Sequence, residues 1–452
     1  MQDKSDWDLH PDAESYVAEL LDGMLQSSAR LRALEEAMTS CTSTRLFDWV
    51  DHIVAPIDEQ SLAAIGYVEG WRTTTGIWRH PAAQLPAIVP ADRRAVAVRV
   101  DDAAAFAQAQ GSTHGVDGAP LSRLRLALVS GAEEIGVAGL ERRSWAAGVQ
   151  PQEHGQVQAA AASAAWRALT ERPRHHEGAD GVRQQMTAVR EAVRLVGADL
   201  AASYFLELER QYWQRRNSAG ATQHSRQDRL GLGWGNNDHH TFRSSRAAFR
   251  PLIDLLTALG FAAREHFYAG ADAGWGALVL EHPNTGGVIF ADADLAPDEV
   301  GVDLVHESLV ERQTLGTVGL WCALHGESVL SAGMHHLEGQ FDFDALREDL
   351  RDKGIAQMSP FSEFPYLKQA FTEAETWIVA PARLEPLVAA GVLDATVAER
   401  FATVGAPGSH LENLARRNGF KGFNKHNVST VIRATDARHY TPQVQVVTRA
   451  HA

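Results

Sequence analysis

Two pairs of adjacent histidines, His239-His240 and His335-His336, stand at matching places in two similar stretches of the C-terminal half, and a carboxylate, Glu373, follows the second. Imidazole nitrogen and carboxylate oxygen together suit iron(II), manganese(II) or zinc(II). An ion held by two histidines and one carboxylate keeps adjacent coordination positions open, which is what a metal needs if it must take up substrate and oxygen together. Neighbours on a strand face opposite sides, so at most one histidine of each pair can reach such an ion. His239 and His336 occupy equivalent points of the two stretches and are the expected ligands, with Glu373 the third. Glu375 would point the same way along a strand and is the reserve choice; Glu281, in VLEHP of the first stretch, is a rival carboxylate.

Ligands this far apart in sequence converge only if neighbouring strands carry them. The first stretch reads as a strand NDHHTFRSSR, an amphipathic helix AAFRPLIDLLTALGF, a strand AREHFYA, and two strands, GWGALVLEHP and GGVIFADADL, joined by an Asn-Thr-Gly-Gly turn. The second runs SAGMHHLEGQF, helix DFDALREDLRDKGI, then strand candidates in YLKQAFTEAETWIVA. Each is a βαβββ unit, and fainter echoes at VDHIVAPID and AVAVRVDDAAAFAQAQG point to a second, degenerate pair. The expected class is α+β: a helical segment over 1–45, a module pair without metal over 46–150, a helical connector and linker over 151–235, and a metal-bearing module pair over 236–452. Within the N-terminal pair, His52 and Glu141 hold module-like positions, yet AVAVRVDD offers no partner histidine. The polar, glycine-rich SAGATQHSRQDRLGLGWGNN reads as a linker or surface loop. Arg174-His175-His176-Glu177, flanked by proline and glycine, reads as a solvated loop, and KGFNKHN near 421–427 as a lid that would keep water from the site.

The chain has 452 residues, 45% hydrophobic and 22% charged, enough for two or three cores. Its net charge of −15 disfavours nucleic acid and anionic membrane as partners and leaves a small molecule as the natural one. Two cysteines, Cys41 and Cys322, cannot make a disulfide framework, and the N-terminal MQDKSDWDLHPDAESY has neither the basic start nor the apolar run of a secretion signal. The expectation is a cytoplasmic protein, with self-association left open.

The segments around the histidines resemble the 2-oxoadipate dioxygenase/decarboxylase (hydroxyglutarate synthase) family of the vicinal oxygen chelate superfamily, over about residues 237–380. That family's first metal histidine is followed four residues on by an arginine that holds a substrate carboxylate, the spacing of His239 and Arg243. Its second ligand lies in an Asn-His-Leu strand leading into a helix, which Met334-His335-His336-Leu337 matches, and its third in a Phe-Gly-Glu-Ile-Glu strand, to which Phe371-Thr372-Glu373-Ala374-Glu375 corresponds. More distantly, the layout resembles 4-hydroxyphenylpyruvate dioxygenase. The family's Pro-Val-Ser substrate loop has no counterpart here, and more than 230 residues precede the first ligand. The resemblance implies a vicinal oxygen chelate-like fold and a non-heme iron(II) dioxygenase or hydroxylase that binds a 2-oxo acid or similar carboxylate, uses O2 and decarboxylates, with Arg243 gripping the carboxylate. Two alternatives stay open: an oxygen-independent metal-dependent isomerase or lyase of the same superfamily, and a non-catalytic small-molecule binding protein.

Overall fold

The computed structural model describes residues 7–130, 135–270, 273–424 and 436–438. Two helices, Pro11–Ser27 and Ala29–Thr42, lead the described chain, turned against each other at Ser28, whose hydroxyl accepts the Leu31 amide of the second. Their buried stripes (Val17, Leu21, Met24; Leu31, Leu34, Met38) repeat at three and four residues and join the core of the first sheet.

That sheet contains β1 (Val50–Ala55), β2 (Val68–Glu69), β3 (Trp78–Arg79), β4 (Ala87–Pro90), β5 (Arg94–Arg99), β6 (Val116–Asp117), β7 (Leu124–Ser130) and β8 (Ile135–Arg142), in the order β2-β3-β4-β1-β5-β8-β7-β6. The second contains β9 (Asn237–Arg243), β10 (Ala262–Tyr268), β11 (Trp275–Glu281), β12 (Val288–Asp294), β13 (His336–Gln340), β14 (Ser362–Phe364), β15 (Leu367–Phe371) and, after a short hairpin of β16 (Thr376–Trp377) with β17 (Ala406–Pro407), β18 (His410–Arg416). Its order, β10-β11-β12-β9-β13-β18-β15-β14, repeats the first position by position. In both, the first strands of the two modules meet antiparallel at the centre, and each lies parallel to its own module's last strand. The chain is therefore α+β, built of four βαβββ modules in two pairs. The fourth module is interrupted: helices Pro381–Ala389 and Ala395–Thr403 are inserted before its last strand.

Between the sheets run helices Gln156–Thr170, Gly178–Val196, Ala198–Gln214 and Ser218–Asp228. The helices Gly178–Val196 and Ala198–Gln214 of this connector are divided at Gly197, whose φ of 85° lies in the region that favours glycine. Residues 218–236 are not a solvated linker. Asn217 caps the helix Ser218–Asp228 by accepting the Gly220 amide at 2.7 Å, and the buried Gln223 and Arg226 donate to the Thr42 and Cys41 carbonyls at 2.8 and 3.0 Å. The polar side chains that suggested solvent satisfy backbone groups of another element instead. Gly233 packs so tightly that a Cβ there would lie 2.5 Å from Asp101, which accepts the amide of the next residue, Trp234, at 2.7 Å.

Candidate metal centre

Strand alternation decides what faces the inside of the second sheet. On β9 the residues His239, Thr241 and Arg243 line one cavity, while His240 turns to Arg210 and the Val288 carbonyl on the other face. On β13 the inward set includes His336 and Glu338; on β18 it includes Glu412, which sits directly beside Glu338 in the parallel pairing. Ligand atoms of His239, His336 and Glu412 all lie within 4.8 Å of one another. His336 Nε2 is 3.0 Å and His239 Nε2 3.9 Å from Glu412 Oε2.

Each of these groups is held from behind. Glu338 contacts His239 Nδ1, leaving Nε2 for the shared point. His336 Nδ1 lies 3.0 Å from His335 Nδ1, leaving Nε2, which Thr241 Oγ1 also reaches at 2.8 Å, toward the shared point, and Gln369 on β15 donates one amide group to both Glu412 (3.0 Å) and Glu338 (3.3 Å). Burial pushes the histidines toward the neutral form: His239 is lowered, and His336 falls to about 3, with the Arg243 charge adding to the effect. Burial pushes both Glu338 and Glu412 well above the usual carboxylate range, and for Glu338 the neighbouring Glu412 adds to it. The nearest cation, Arg416, is occupied by Asp238, which it grips bidentately at 2.9 and 3.0 Å. Two buried carboxylates without a cation of their own among the described residues, facing two buried neutral imidazoles, are a donor set that a divalent ion completes.

Asp238, His239 and Glu338 form a second cluster with ligand spacing. The first sheet decides between the two. Aligning the paired registers sets Asp51 at the place of Asp238, His52 at His239 and Arg142 at Arg416, and Arg142 grips Asp51 at 2.7 and 2.8 Å just as Arg416 grips Asp238. At the places of His336, Glu338 and Glu412 stand Ala95, Ala97 and Ala138. The aspartate–arginine pair is thus common framework, and the histidine and the two glutamates are what distinguish the half with the cluster.

Of the three expected ligands the structure brings His239 and His336 together, and the carboxylate that clusters with them is Glu412 of β18. Glu373 is absent from the cluster. β15 ends at Phe371, which pairs with Glu412, so Glu373 lies two residues past that level, half-buried, its amide donating to the Ala356 carbonyl. The reserve Glu375 accepts the Ser218 amide at 2.7 Å, and Glu281 is engaged by Arg72 at 2.6 Å. Glu412 escaped notice because the inserted helices separate its strand from the rest of its module. The visible signal was the alternation in HLENLAR, with His410, Glu412, Leu414 and Arg416 on one face.

The cavity beside the cluster measures about 70 Å³, room for only a few water-sized groups. Its walls are largely aromatic: Phe267, Trp275, Phe290, Phe361, Phe371 and Phe423. Arg243 and Asp292 stand side by side in this lining, register partners on neighbouring strands. Arg243 is buried, with Nε lacking a hydrogen-bond partner among the described residues, and Asp292 on the neighbouring strand is raised by burial to about 7. Of the expected lid, Phe423 and Asn424 line the cavity, and residues 425–427 lie outside those described.

No protein-family model matches the chain, and no curated protein does. Among solved structures, a mutant 4-hydroxymandelate synthase from Streptomyces coelicolor is 12% identical over 86% of this chain and 97% of its own, with a TM-score of 0.25. Methylmalonyl-CoA epimerase from Mycobacterium tuberculosis is 15% identical over 40% of this chain and 89% of its own, with a TM-score of 0.23. The uncharacterized protein YdcJ from Shigella flexneri, which includes domain DUF1338, is 14% identical over 57% of this chain and 82% of its own, with a TM-score of 0.24. The assignment of modules rests on the strand order and registers of this chain, not on these likenesses.

Proposed function

We propose that the protein is a non-heme iron(II) enzyme that consumes a small 2-oxo acid and O2 with loss of CO2. The observation that carries this reading is the convergence of His239, His336 and Glu412 at the wall of a small aromatic cavity that also holds a buried arginine whose Nε has no hydrogen-bond partner among the described residues. Iron(II) bound there would supply open coordination positions for the keto acid and redox activation of oxygen; manganese(II) and zinc(II) suit the same donors. In the balanced reaction the bond between the 2-oxo carbon and its carboxylate breaks, CO2 leaves, and the organic product retains a new carboxylate and one inserted oxygen atom.

The chain's own groups then have definite tasks. Arg243, planar and permanently charged, offers a fork to a carboxylate of the substrate. Glu338 fixes the His239 ring and His335 the His336 ring through their Nδ1 atoms, and Gln369 fixes Glu412, so the ligands are oriented before the ion arrives. The aromatic walls keep water from the reacting centre, which strengthens every charge interaction inside it. The motif resemblance supports this reading through the His239–Arg243 spacing and the His336 strand; its third motif, around Glu373, does not reach the site.

The test is oxygen uptake by anaerobically iron-loaded protein offered a panel of 2-oxo acids. Uptake in step with CO2 release, lost in Glu412→Ala, supports the proposal. Conversion of a substrate under anaerobic conditions would assign the site to an isomerase or lyase instead, and tight binding of 2-oxo acids with no turnover would make it a binding site.

A further inference from the structure

A second cleft, of about 130 Å³, opens between the two halves of the molecule and is lined by polar groups from both. Arg79 and Arg99 reach it from the first sheet and Lys421 from the segment after β18. Around it four guanidinium groups, Arg72, Arg79, Arg99 and Arg142, and the Lys421 ammonium share two carboxylates. Asp51 is taken by Arg142 at 2.7 and 2.8 Å, with Arg99 at 3.4 Å; Glu281 is taken by Arg72 at 2.6 Å, with Lys421 at 3.6 Å. The third carboxylate of the lining, Asp48, is tied to Arg45. Buried donors are left over: Arg79 Nη1 and Arg99 Nε have no hydrogen-bond partner among the described residues.

We propose that this cleft binds a small, multiply charged oxyanion of the phosphate class, held by Arg79, Arg99 and Lys421. The chain as a whole carries −15, so a buried excess of positive charge here runs against its overall sign. Like charges gathered in a partly buried space repel, and unmade hydrogen bonds from a guanidinium add to that cost. Burial and neighbouring arginines lower Arg79 to about 9, and burial, opposed by Glu281, brings Lys421 to about 8. Arg79 lies 5.1 Å from the Trp71 ring and 4.2 Å from Trp145, contacts that hold the guanidinium in place without consuming its N–H groups. An oxyanion bridging the halves would accept those donors and offset the excess charge. Lys421 also stands two residues before Phe423 of the metal cavity, so one short segment meets both sites.

Calorimetric titration of the metal-loaded protein with inorganic phosphate, in a buffer free of oxyanions, tests this. Wild type should bind saturably, Arg79→Gln and Lys421→Gln should each weaken binding on the order of tenfold, the loss expected for one charge-assisted contact, and Arg243→Gln should leave it unchanged. Both variants are checked by thermal melting, and Arg79→Lys, which keeps the charge, serves if the glutamine variant does not fold. Absence of saturable binding, undiminished affinity in folded Arg79 and Lys421 variants, or loss confined to Arg243→Gln, which would place the anion in the metal cavity, overturns the proposal. Because phosphate binding does not depend on turnover, its failure is distinct from failure of the iron-enzyme reading.

Discussion

Arg243 and Glu412 are the two residues whose chemistry has no bland explanation. A guanidinium buried in an aromatic cavity, its Nε without a partner among the described residues, is stabilised when something anionic visits it. Replacement by lysine keeps the charge and removes the fork, so Arg243→Lys should lower kcat/KM for the 2-oxo acid by ~10²-fold, the order seen when a positioning contact is lost, while bound metal stays at the wild-type amount. Unimpaired turnover would remove Arg243 from its role. For Glu412, burial holds the carboxyl above its usual range, so it must lose a proton to become a ligand. Metal affinity should therefore fall as the pH is lowered through that raised value, measured as a shrinking metal-induced rise in melting temperature. The neutral, depressed histidines contribute no loss until more acidic conditions.

The strands carry a natural control, because the two sheets share one register. Breaking a buried ion pair by removing one partner costs about 3–5 kcal/mol, so Arg142→Met and Arg416→Met should destabilise the protein to similar extents in denaturant unfolding. Only Arg416→Met should also weaken metal binding, since Asp238, left without its cation, stands beside His239 and faces Glu338. Equal loss of metal in both variants would contradict the assignment of the centre to the second sheet. At this scale the sequence was readable where apolar alternation and turns are local: β10 to β12 and the helix Phe343–Arg351 lie where periodicity put them. It was unreadable where tertiary structure overrode composition. The helix Ser218–Asp228 is polar because its side chains bond to the backbone of the N-terminal helices, and β18 belongs to a module whose last strand is displaced by inserted helices. The segment that completes the fourth module is HLENLAR, so the repeat itself leads to Glu412.

Across the whole molecule, one architectural unit is used four times, and the cluster of His239, His336 and Glu412 stands in one pair of modules. Alanines at 95, 97 and 138 leave the first sheet with the framework pair and His52 but without the groups that would join it around an ion. Its remaining contribution is a wall of the cationic cleft. An ion that binds the folded chain alone stabilises it by mass action, about 2.7 kcal/mol at a hundredfold excess over Kd, so iron(II) or manganese(II) should raise the melting temperature of wild type but not of His336→Ala. The most direct test of the central claim is metal content after anaerobic loading and desalting, for wild type beside His239→Ala, His336→Ala, Glu412→Ala and Glu373→Ala. The account predicts one ion per chain in wild type and Glu373→Ala and none in the other three. Full occupancy in Glu412→Ala, or loss in Glu373→Ala, would contradict it.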